Sequence, residues 1–461
     1  AEDIELIKEV GANSIRLAHY QHDEKFYDLC DEAGFLVWAE IPVISNFSKK
    51  KQAQARFMLE ELIRQNYNHP SIYTWSVANE IGINSAASGL VSGIKELNDI
   101  AHALDSTRPT VTAQVTMTSI NSKLNEIPDI LGYNHYFGWY MQTVDGIDKW
   151  LDKFHEAKPH LKLSLSEYGA EGMTNLHSAN PIQGDYTEEY QAYYHEELIK
   201  QLFTRKYMWA THVWNMFDFG ADARNEGGEN GQNHKGLMTF DRKYKKDAFY
   251  AYKAWLSDEP FVHICGKRYV DRVEETTKVT VYSNLPEVEL FVNGESVGKQ
   301  KSDNHFFYFE VKNEGESKIV AKAGEYQDES VIRKVETPNE DYLLKEVGAV
   351  LNWFDIDAPE GRFSLNDKIS DIMESKRGKM WFIGVGLKIK KKMDANKKGG
   401  ESKKSGGFDI DLKADSGLMQ MMGGFTVLRL SSMMGMMNIS FTKEELLKMN
   451  KQLNRIRKPK N

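Results

Sequence analysis

The chain has 461 residues, 41% of them hydrophobic, and a formal net charge of −8 at pH 7. This length allows two or three packed domains, and the modest negative charge gives no electrostatic reason to expect nucleic acid as a partner. A membrane span is not predicted, because no uncharged apolar run approaches about 18 residues. The cysteines, Cys30 and Cys265, are too few and too far apart in sequence to predict a disulfide framework or a zinc site. As ordinary thiols they leave the compartment open and favour a cytoplasmic location over a periplasmic or secreted one.

The first fifty residues alternate between helical and strand patterns. Apolar residues recur at helical spacing from Asp3 to Val10, and Gly11 ends this helix before a strand from Asn13 to Ala18. A helix from Glu24 to Ala33 and a strand from Leu36 to Ile41 follow. This alternation is typical of βα units that build a parallel sheet.

The same alternation continues to about residue 256. The predicted helices are 53–66, 90–104, 186–203 and 248–256, and the predicted strands after the first two are 68–80, 110–114, 130–136, 161–170 and 209–214. The sequence therefore predicts one large α/β domain in its first half.

Two of these strands end on carboxylic acids. The stretch NHPSIYTWSVANE delivers Asn79 and Glu80 at its tip, and LKLSLSEYGA delivers Glu167 before Gly169. An isolated Asn-Glu pair after a strand more often just begins the next helix. Two carboxylates at the ends of two strands, however, match the active face of a (β/α)8 barrel. Glycosidic bond cleavage needs such a pair, one to protonate the leaving oxygen and one to attack the anomeric carbon or activate water.

Five motifs now carry a resemblance to a known family. NSIRLAHY, NHPSIYTWSVANE, YNHYFGWY, SEYGA and HVWNMFDFG closely resemble glycoside hydrolase family 2, in particular its bacterial β-galactosidases, over residues 1–335. The resemblance implies a (β/α)8 TIM barrel and a retaining exo-β-glycosidase with Glu80 as acid/base and Glu167 as nucleophile. It implies neither a cofactor nor a metal. It also places the first helix after barrel strand one, so we expect that strand and the family's amino-terminal β-domains to be absent from this chain.

The resemblance also implies a set of sugar-binding residues. Arg16 and His19 would line or brace the pocket, Tyr136 would bond to the nucleophile and hold its rotamer, and Trp214 would form an apolar platform under the sugar ring. The full predicted substrate-binding set is Arg16, His19, Asn79, Asn134, Tyr136, Trp214, Asn233 and Lys235. A histidine on an otherwise apolar strand is more often a core residue, so the motif decides the assignment of His19.

The substrate prediction depends on the loop GQNHKGLMTF, residues 231–240. In related β-glucuronidases an Asn-x-Lys-Gly at this place binds the substrate carboxylate, and Asn233 and Lys235 match it. Similar loops occur in the β-galactosidases, where the lysine would only brace the loop against acids such as Glu226, Glu229 or Asp241. We therefore predict a β-galactosidase acting on terminal β-D-galactosides of small molecules or oligosaccharides, with β-glucuronidase as the alternative. A homo-oligomer stays possible.

Beyond the barrel, predicted as residues 1–258, the pattern changes twice. Residues 259–337 alternate apolar and polar with an Asn293-Gly294 turn, which predicts an immunoglobulin-like β-sandwich. Residues 338–461 form a mostly helical region, with helices at 365–373 and 442–453, the second capped by Thr442 and Glu445. Between them, 388–407 has the composition of a flexible linker.

Eight of the 18 methionines lie between Met419 and Met449. Without Cys or His nearby, this cluster is better explained as a soft packing surface than as a Cu(I) site. A non-enzymatic alternative also stays open for the whole chain. With strand one and the amino-terminal domains expected to be absent, the chain would be an inactive fragment or a carbohydrate-binding scaffold, unstable or inactive alone.

Overall fold

The structure of the chain, a computed structural model, describes two compact units. The described residues are 1–45, 47, 51–81, 89–221, 229, 231–344, 356–398, 426–428, 430–431 and 441–459. The first unit contains residues 1–139, 144–218 and 234–344, and the second contains 140–143, 219–233 and 345–461. Of the predicted methionine cluster, Met449 is described and buried, whereas the other seven methionines lie outside the described residues.

The first unit begins with six parallel strands that pair in chain order. They are β1 (Ser14–Leu17), β2 (Leu36–Glu40), β3 (Ile72–Asn79), β4 (Thr110–Val115), β5 (Ile130–Asn134) and β6 (Leu163–Glu167). The helices are α1 (Glu2–Glu9), α2 (Glu24–Ala33), α3 (Gln52–Asn66), α4 (Leu90–Leu104), α5 (Gly146–Ala157), α6 (Glu188–Leu202) and α7 (Asp247–Leu256). The curled sheet is part of a TIM-type barrel, as predicted.

The predicted strand 209–214 is only partly regular. It lies parallel to β6 through a single bridge between Leu165 and Thr211, and His212 N donates to the carbonyl of Leu165 at 2.8 Å. His212 also reaches β1, because its Nε2 lies 3.0 Å from the hydroxyl of Ser14. The segment therefore occupies the position of a barrel strand without a full ladder.

Packing between the sheet and the helices explains why the strands are so apolar. β3 and β4 are buried almost throughout. One face of the barrel sheet is covered by helices, and the other face lines the barrel interior, which is filled by side chains. On the filled face, Trp38 stacks near Trp209 at 6.0 Å and meets the His212 ring edge-on. Helix α2 is set by local signals: Asp23 caps its start, and Gly34 ends it at φ +75°.

A β-sandwich completes the first unit. A short antiparallel pair, β7 (Phe219–Gly220) and β8 (Gln232–Asn233), precedes it in sequence and belongs to the second unit. The sandwich strands are β9 (Val262–Ile264), β10 (Asp271–Arg272), β11 (Thr276–Ser283), β12 (Glu287–Val292), β13 (Glu295–Lys301), β14 (Phe306–Lys312), β15 (Glu316–Ala323) and β16 (Tyr326–Lys334). They form sheets ordered β10-β16-β15-β12-β13 and β14-β11-β9. The predicted turn at Asn293 and Gly294 is confirmed, with φ of 52° and 90°.

The second unit has helices α8 (Ile369–Glu374), α9 (Lys376–Lys398) and α10 (Lys443–Leu453). The predicted cap of α10 is confirmed as a complete capping box between Thr442 and Glu445. The predicted helix at 365–373 begins later, at Ile369, because Asp367 Oδ2 accepts from the backbone of Ser364 and holds a turn. No helix within the described residues combines the length and apolar character that crossing a membrane requires.

The prediction of a flexible linker at 388–407 is wrong for its first part. Residues 388–398 continue α9, and 399–407 lie outside the described residues. Phe382, Val385 and Ile389 are buried at helical spacing, so the apolar face that fixes α9 lies just before the lysines. Lysine itself is a good helix former, which the reading of this stretch as a linker undervalued.

Candidate active site

Four polar side chains end four strands of the half-barrel. Glu40, Asn79, Asn134 and Glu167 are the last residues of β2, β3, β5 and β6. The ladder shifts register between Ser76 and Ala78 and again beside Asn134, and such bulges re-aim side chains near active sites. Because parallel strands end at one edge, the four polar groups meet at the face where barrel enzymes carry their chemistry.

Glu80 follows β3 in a strained conformation. Its φ is +53°, which is uncommon outside glycine and costs roughly 1–3 kcal/mol. Its backbone N–H donates to the carbonyl of Ala113 at 2.7 Å, and Asn134 Nδ2 donates to its Oε1 at 3.1 Å. The turn therefore brings the Glu80 carboxyl beside Asn134.

Arg16 on β1 joins the carboxylates at the floor of the site. Its guanidinium forms two bonds of 3.1 Å to Glu40 and one of 2.8 Å to Glu167. It also donates to Asn79 Oδ1 at 2.9 Å, and Asn134 donates to the same oxygen at 3.2 Å. One buried cation is thus shared by two carboxylates and an amide, while its contacts do not include a hydrogen bond to Glu80.

Glu167 has two charge-stabilising donors. Arg16 holds its Oε1, and the hydroxyl of Tyr136 donates to Oε2 at 2.7 Å. His19 Nε2 lies 3.9 Å from Oε1. The predicted contact between Tyr136 and Glu167 is present.

His19 and Trp214 form one wall of the site. Their rings stack with centroids 5.1 Å apart and planes 16° apart, and His19 Nδ1 lies 2.7 Å from Glu40. The peptide bonds before His19 and after Trp214 are cis. Gly169 lies under this wall, and a Cβ there would overlap the carbonyl oxygen of Trp214, so close backbone approach requires the glycine.

The pKa values of the carboxyls differ because their neighbours differ. Burial and the nearby charge of Glu167 raise the pKa of Glu80 to about 7. Burial acts in the same direction on Glu40, but Arg16 and His19 outweigh it, so the pKa of Glu40 is lowered. Near neutral pH the carboxyl of Glu80 can therefore still carry a proton to donate, whereas the carboxyl of Glu40 is held as an anion.

Lys235 is buried in an ion pair next to the site. Its Nζ lies 2.9 Å from Glu171 Oε1 and 5.7 Å from the ring centre of Tyr136. Asp218 holds this segment by accepting from Gly236 N at 2.9 Å and from Lys246 at 2.7 Å. The ammonium of Lys235 is therefore rigidly positioned beside the tyrosine that contacts Glu167.

The structure brings together nine of the ten predicted site residues. Within the first unit these are Arg16, His19, Asn79, Glu80, Asn134, Tyr136, Glu167, Trp214 and Lys235. The tenth, Asn233, is buried in β8, which belongs to the second unit.

Sequence reasoning did not assign three residues of the site. Glu40 ends a predicted strand on a carboxylate, so the rule that found Glu80 could have found it. Ser166, whose hydroxyl donates to Asn134 Oδ1 at 2.7 Å, and Glu171, the partner of Lys235, carry no comparable signal. Both depend on contacts between segments far apart in the chain.

The comparisons with known proteins agree with this barrel. Residues 1–257 match the family described as glycosyl hydrolases family 2, TIM barrel domain, and residues 274–326 match a domain of unknown function, DUF4982. The first match covers more than half of the chain. The chain therefore belongs to glycoside hydrolase family 2.

Individual relatives add a finer comparison. A β-glucuronidase of Bacteroides fragilis is 40% identical over 362 residues, which cover 75% of this chain and 50% of the relative. A solved FMN-binding β-glucuronidase from F. prausnitzii L2-6 is 48% identical, with a TM-score of 0.73, over 75% of this chain and 54% of that one. A solved putative β-galactosidase from B. fragilis is 32% identical, with a TM-score of 0.68, over 73% and 52%. The chain thus spans about half the length of these relatives.

Proposed function

We propose that this chain provides the catalytic barrel of a retaining exo-β-glucuronidase. One observation carries the proposal: the two carboxyls have opposite environments. Glu167 is held by a guanidinium and a phenol, whereas the donor to Glu80 is the neutral amide of Asn134, and burial raises the pKa of Glu80 to about 7. A buried carboxyl with a raised pKa beside a second carboxyl held by cationic and phenolic donors is typical of an acid and a nucleophile working as a pair.

The proposed reaction has two steps. In the first, an oxygen of Glu167 attacks the anomeric carbon while Glu80 gives its proton to the glycosidic oxygen, so the aglycone leaves as an alcohol and the sugar is bonded to Glu167. In the second, Glu80 takes a proton from water, the hydroxide oxygen attacks the same carbon, and Glu167 leaves as a carboxylate. Tyr136 and Arg16 position Glu167 and stabilise its charge at the beginning and end of this cycle.

The relatives' names favour the glucuronide over the galactoside that the sequence analysis predicted. Lys235 fits this preference, because an ammonium with three donors can bond both to Glu171 and to a sugar carboxylate. In this proposal Glu171 holds the lysine in place, and the substrate carboxylate binds the same ammonium. We propose the face of Trp214 as the surface on which the sugar ring stacks.

The β-galactosidase reading remains the second candidate, supported by the B. fragilis relative of that name. A galactoside has no charge at C6, so Lys235 would then serve only as the partner of Glu171. Two substrates that differ at C6 and C4 distinguish these readings. We expect an aryl β-glucuronide to be cleaved faster than the matching galactoside, and Lys235→Ala to remove that preference. Lys243→Ala, an exposed change in the same segment, is the control. Galactoside cleavage unaffected by Lys235→Ala would favour the galactosidase.

Covalent labelling tests the catalytic roles directly. Cyclophellitol-6-carboxylate aziridine has the shape and charge of a glucuronate ring and alkylates a nucleophile at the anomeric position. On a protein containing residues 1–461, we expect peptide mass spectrometry to find one label, on Glu167, and none in Glu167→Gln. A label on another residue would overturn the assignment. No labelling by this compound or by an uncharged galactose-shaped analogue would support the alternative of an inactive or scaffolding chain.

A further inference from the structure

Three potential metal ligands meet where the last barrel helix contacts the sandwich. Asp247 is the first residue of α7, His263 lies in β9, and Cys265 follows that strand immediately. Their ligand atoms all lie within 4.8 Å of one another. Residues two apart in an extended segment face the same side, which is why His263 and Cys265 both reach Asp247. We infer that Asp247, His263 and Cys265 form a Zn²⁺ site.

The imidazole of His263 is already oriented for such a role. Its Nε2 lies 2.9 Å from Asp247 Oδ1, and its ring stacks on Tyr250 with centroids 3.6 Å apart. On the other side, Nδ1 lies 3.8 Å from Asp328 Oδ2. A carboxylate behind the second nitrogen is the usual support of a metal-bound histidine. At 3.8 Å the Asp328 carboxylate is beyond hydrogen-bond distance, so its support of His263 here is electrostatic.

Metal binding would rearrange two protons at this site. Zn²⁺ would bind Nε2 without its proton, so the proton of the neutral imidazole would lie on Nδ1, the nitrogen that faces Asp328. The thiol of Cys265 loses its proton to solvent and binds as a thiolate. The dication, the thiolate and the Asp247 carboxylate then sum to zero charge, so the buried group becomes neutral as a whole. A thiolate, an imidazole and a carboxylate together suit Zn²⁺ rather than Mg²⁺ or Ca²⁺.

A cavity adjoins two of the three proposed ligands. Asp247 and Cys265 line a space of about 420 Å³ that also contacts Glu196 of α6 and Arg272 of β10. Three protein ligands with an open fourth position leave room for a bound water. This site is independent of the proposed glycosidase chemistry, since none of its ligands contacts Glu80 or Glu167 in the bonds described above.

The sequence analysis rejected a zinc site because Cys30 and Cys265 are far apart in sequence. That reasoning compared only the two cysteines. The proposed site instead combines one cysteine with a histidine two residues earlier and an aspartate 16 residues before that histidine, a spacing that matches no short zinc motif. Cys30 lies on α2 and has no part in it.

Cobalt is the spectroscopic probe for this proposal. We expect Co²⁺ added to protein containing residues 1–461 to bind one equivalent and to give a thiolate-to-metal charge-transfer band in the near ultraviolet. Zn²⁺ should displace it and abolish the band. Cys265→Ser should remove the band, whereas Cys30→Ser, the matched control, should retain it. Absence of the band in the parent protein, or its persistence in Cys265→Ser, would overturn the site.

A second measurement needs no variant. The X-ray absorption spectrum of the zinc-loaded protein should fit one sulfur at about 2.3 Å and nitrogen or oxygen ligands at about 2.0–2.1 Å. A fit without sulfur would reject Cys265 as a ligand and leave the Asp247–His263 contact as a hydrogen bond only. Asp328→Asn should weaken Zn²⁺ affinity by about 10- to 100-fold in competition with a chromogenic chelator, because it removes the support of His263. Unchanged affinity would contradict that role.

Discussion

Arg16 Nη1 lies 2.8 Å from Glu167 Oε1, and this contact gives Glu167 a different environment from Glu80, the other carboxyl of the site. The guanidinium is committed to Glu167 and Glu40, so Glu80 is left with an amide donor. Two neighbouring carboxylates resist ionising together, and the one without a cation is the one that keeps its proton. The proposed roles of Glu80 as acid and Glu167 as nucleophile therefore rest on where β1 places Arg16.

Removing each carboxyl should have unequal effects on substrates with different leaving groups. Glu167→Gln should abolish the covalent step with every substrate. Glu80→Ala should slow aryl glycosides with poor leaving groups by about 100- to 10,000-fold in the first step, but spare those whose leaving group needs no proton. Pre-steady-state release of the aryl alcohol measures that step. Equal losses for both substrate types in Glu80→Ala would contradict its role as the acid.

The raised pKa of Glu80 predicts a pH limit on activity. Because the acid must be protonated in the free enzyme, kcat/KM for a poor leaving group should fall as the pH rises through about 7. A substrate with an activated leaving group should show a weaker decline. In Glu80→Ala the decline should disappear. A pH profile of Glu80→Ala identical in shape to that of the parent would show that another group controls this limb.

The same pKa predicts how stability depends on pH. Glu80 has an ordinary pKa of 4.5 when unfolded and about 7 when folded, so between these values the folded state binds a proton that the unfolded state has released. Its contribution to stability is therefore fully present below about 4.5 and is lost as the pH rises through about 7. Urea unfolding at several pH values should show this decline, and Glu80→Gln should flatten it.

Strand ends were predictable because their signal is local. The alternation of apolar runs with helical patterns, and the carboxylates that end two of those runs, led to Glu80 and Glu167 and to a barrel. Sequence patterns do not show which side chains pair across the barrel. The contacts of Ser166 and Glu171, and the ion pairs of Arg16 with Glu40 and Glu167, were therefore visible only in the structure. The irregular segment 209–214 was predicted as a strand because it is apolar and aromatic, whereas its ladder depends on the tertiary approach to β6.

The helical region, residues 338–461, shows a different limit of prediction from sequence. The capping box of Thr442 and Glu445 is a short-range pattern, and it was predicted correctly. The end of α9 was mistaken for a linker because lysines, glycines and serines dominate the composition of residues 388–407, although the helix is fixed by buried residues earlier in it. The composition of residues 388–407 therefore did not reveal the helix, because most of the buried residues that stabilise it lie before residue 388.

Close packing at Gly169 predicts a loss in both stability and activity. In Gly169→Ala the new methyl group would overlap the carbonyl of Trp214, and neither backbone can move far. We expect a loss of about 1–3 kcal/mol in urea unfolding, with slower turnover because Trp214 is displaced. Gly384→Ala is the control, since a methyl group there meets no atom within 4 Å and should be neutral or stabilising by up to about 1 kcal/mol. Equal effects of the two changes would contradict a steric role for Gly169.

Arg16 should contribute more to stability than an exposed arginine pair does. Its side chain is 3% exposed and Glu40 is 1% exposed, so Arg16→Met leaves a buried carboxylate without its cation. Removing one partner of such a pair costs about 3–5 kcal/mol. Arg56 pairs with Glu96 at 3.3 Å, but both side chains are more than 40% exposed, so Arg56→Met should cost no more than about 1 kcal/mol. Urea unfolding at pH 7 measures both.

The pH dependence of the Arg16→Met loss tests its cause. Arg16 lowers the pKa of Glu40, so this pair's stabilisation is present above the ordinary value of 4.5 and is lost as the pH falls through the lower folded value. Without Arg16, burial of Glu40 is opposed only by the contact with His19, so its neutral form is favoured more than in the parent. The difference between parent and variant should therefore shrink as the pH is lowered below 4.5. Adding Glu40→Gln to Arg16→Met should recover part of the loss at pH 7, because it removes the unpaired charge. A loss independent of pH and unaffected by the second change would mean that Arg16 acts through packing and not through its charge.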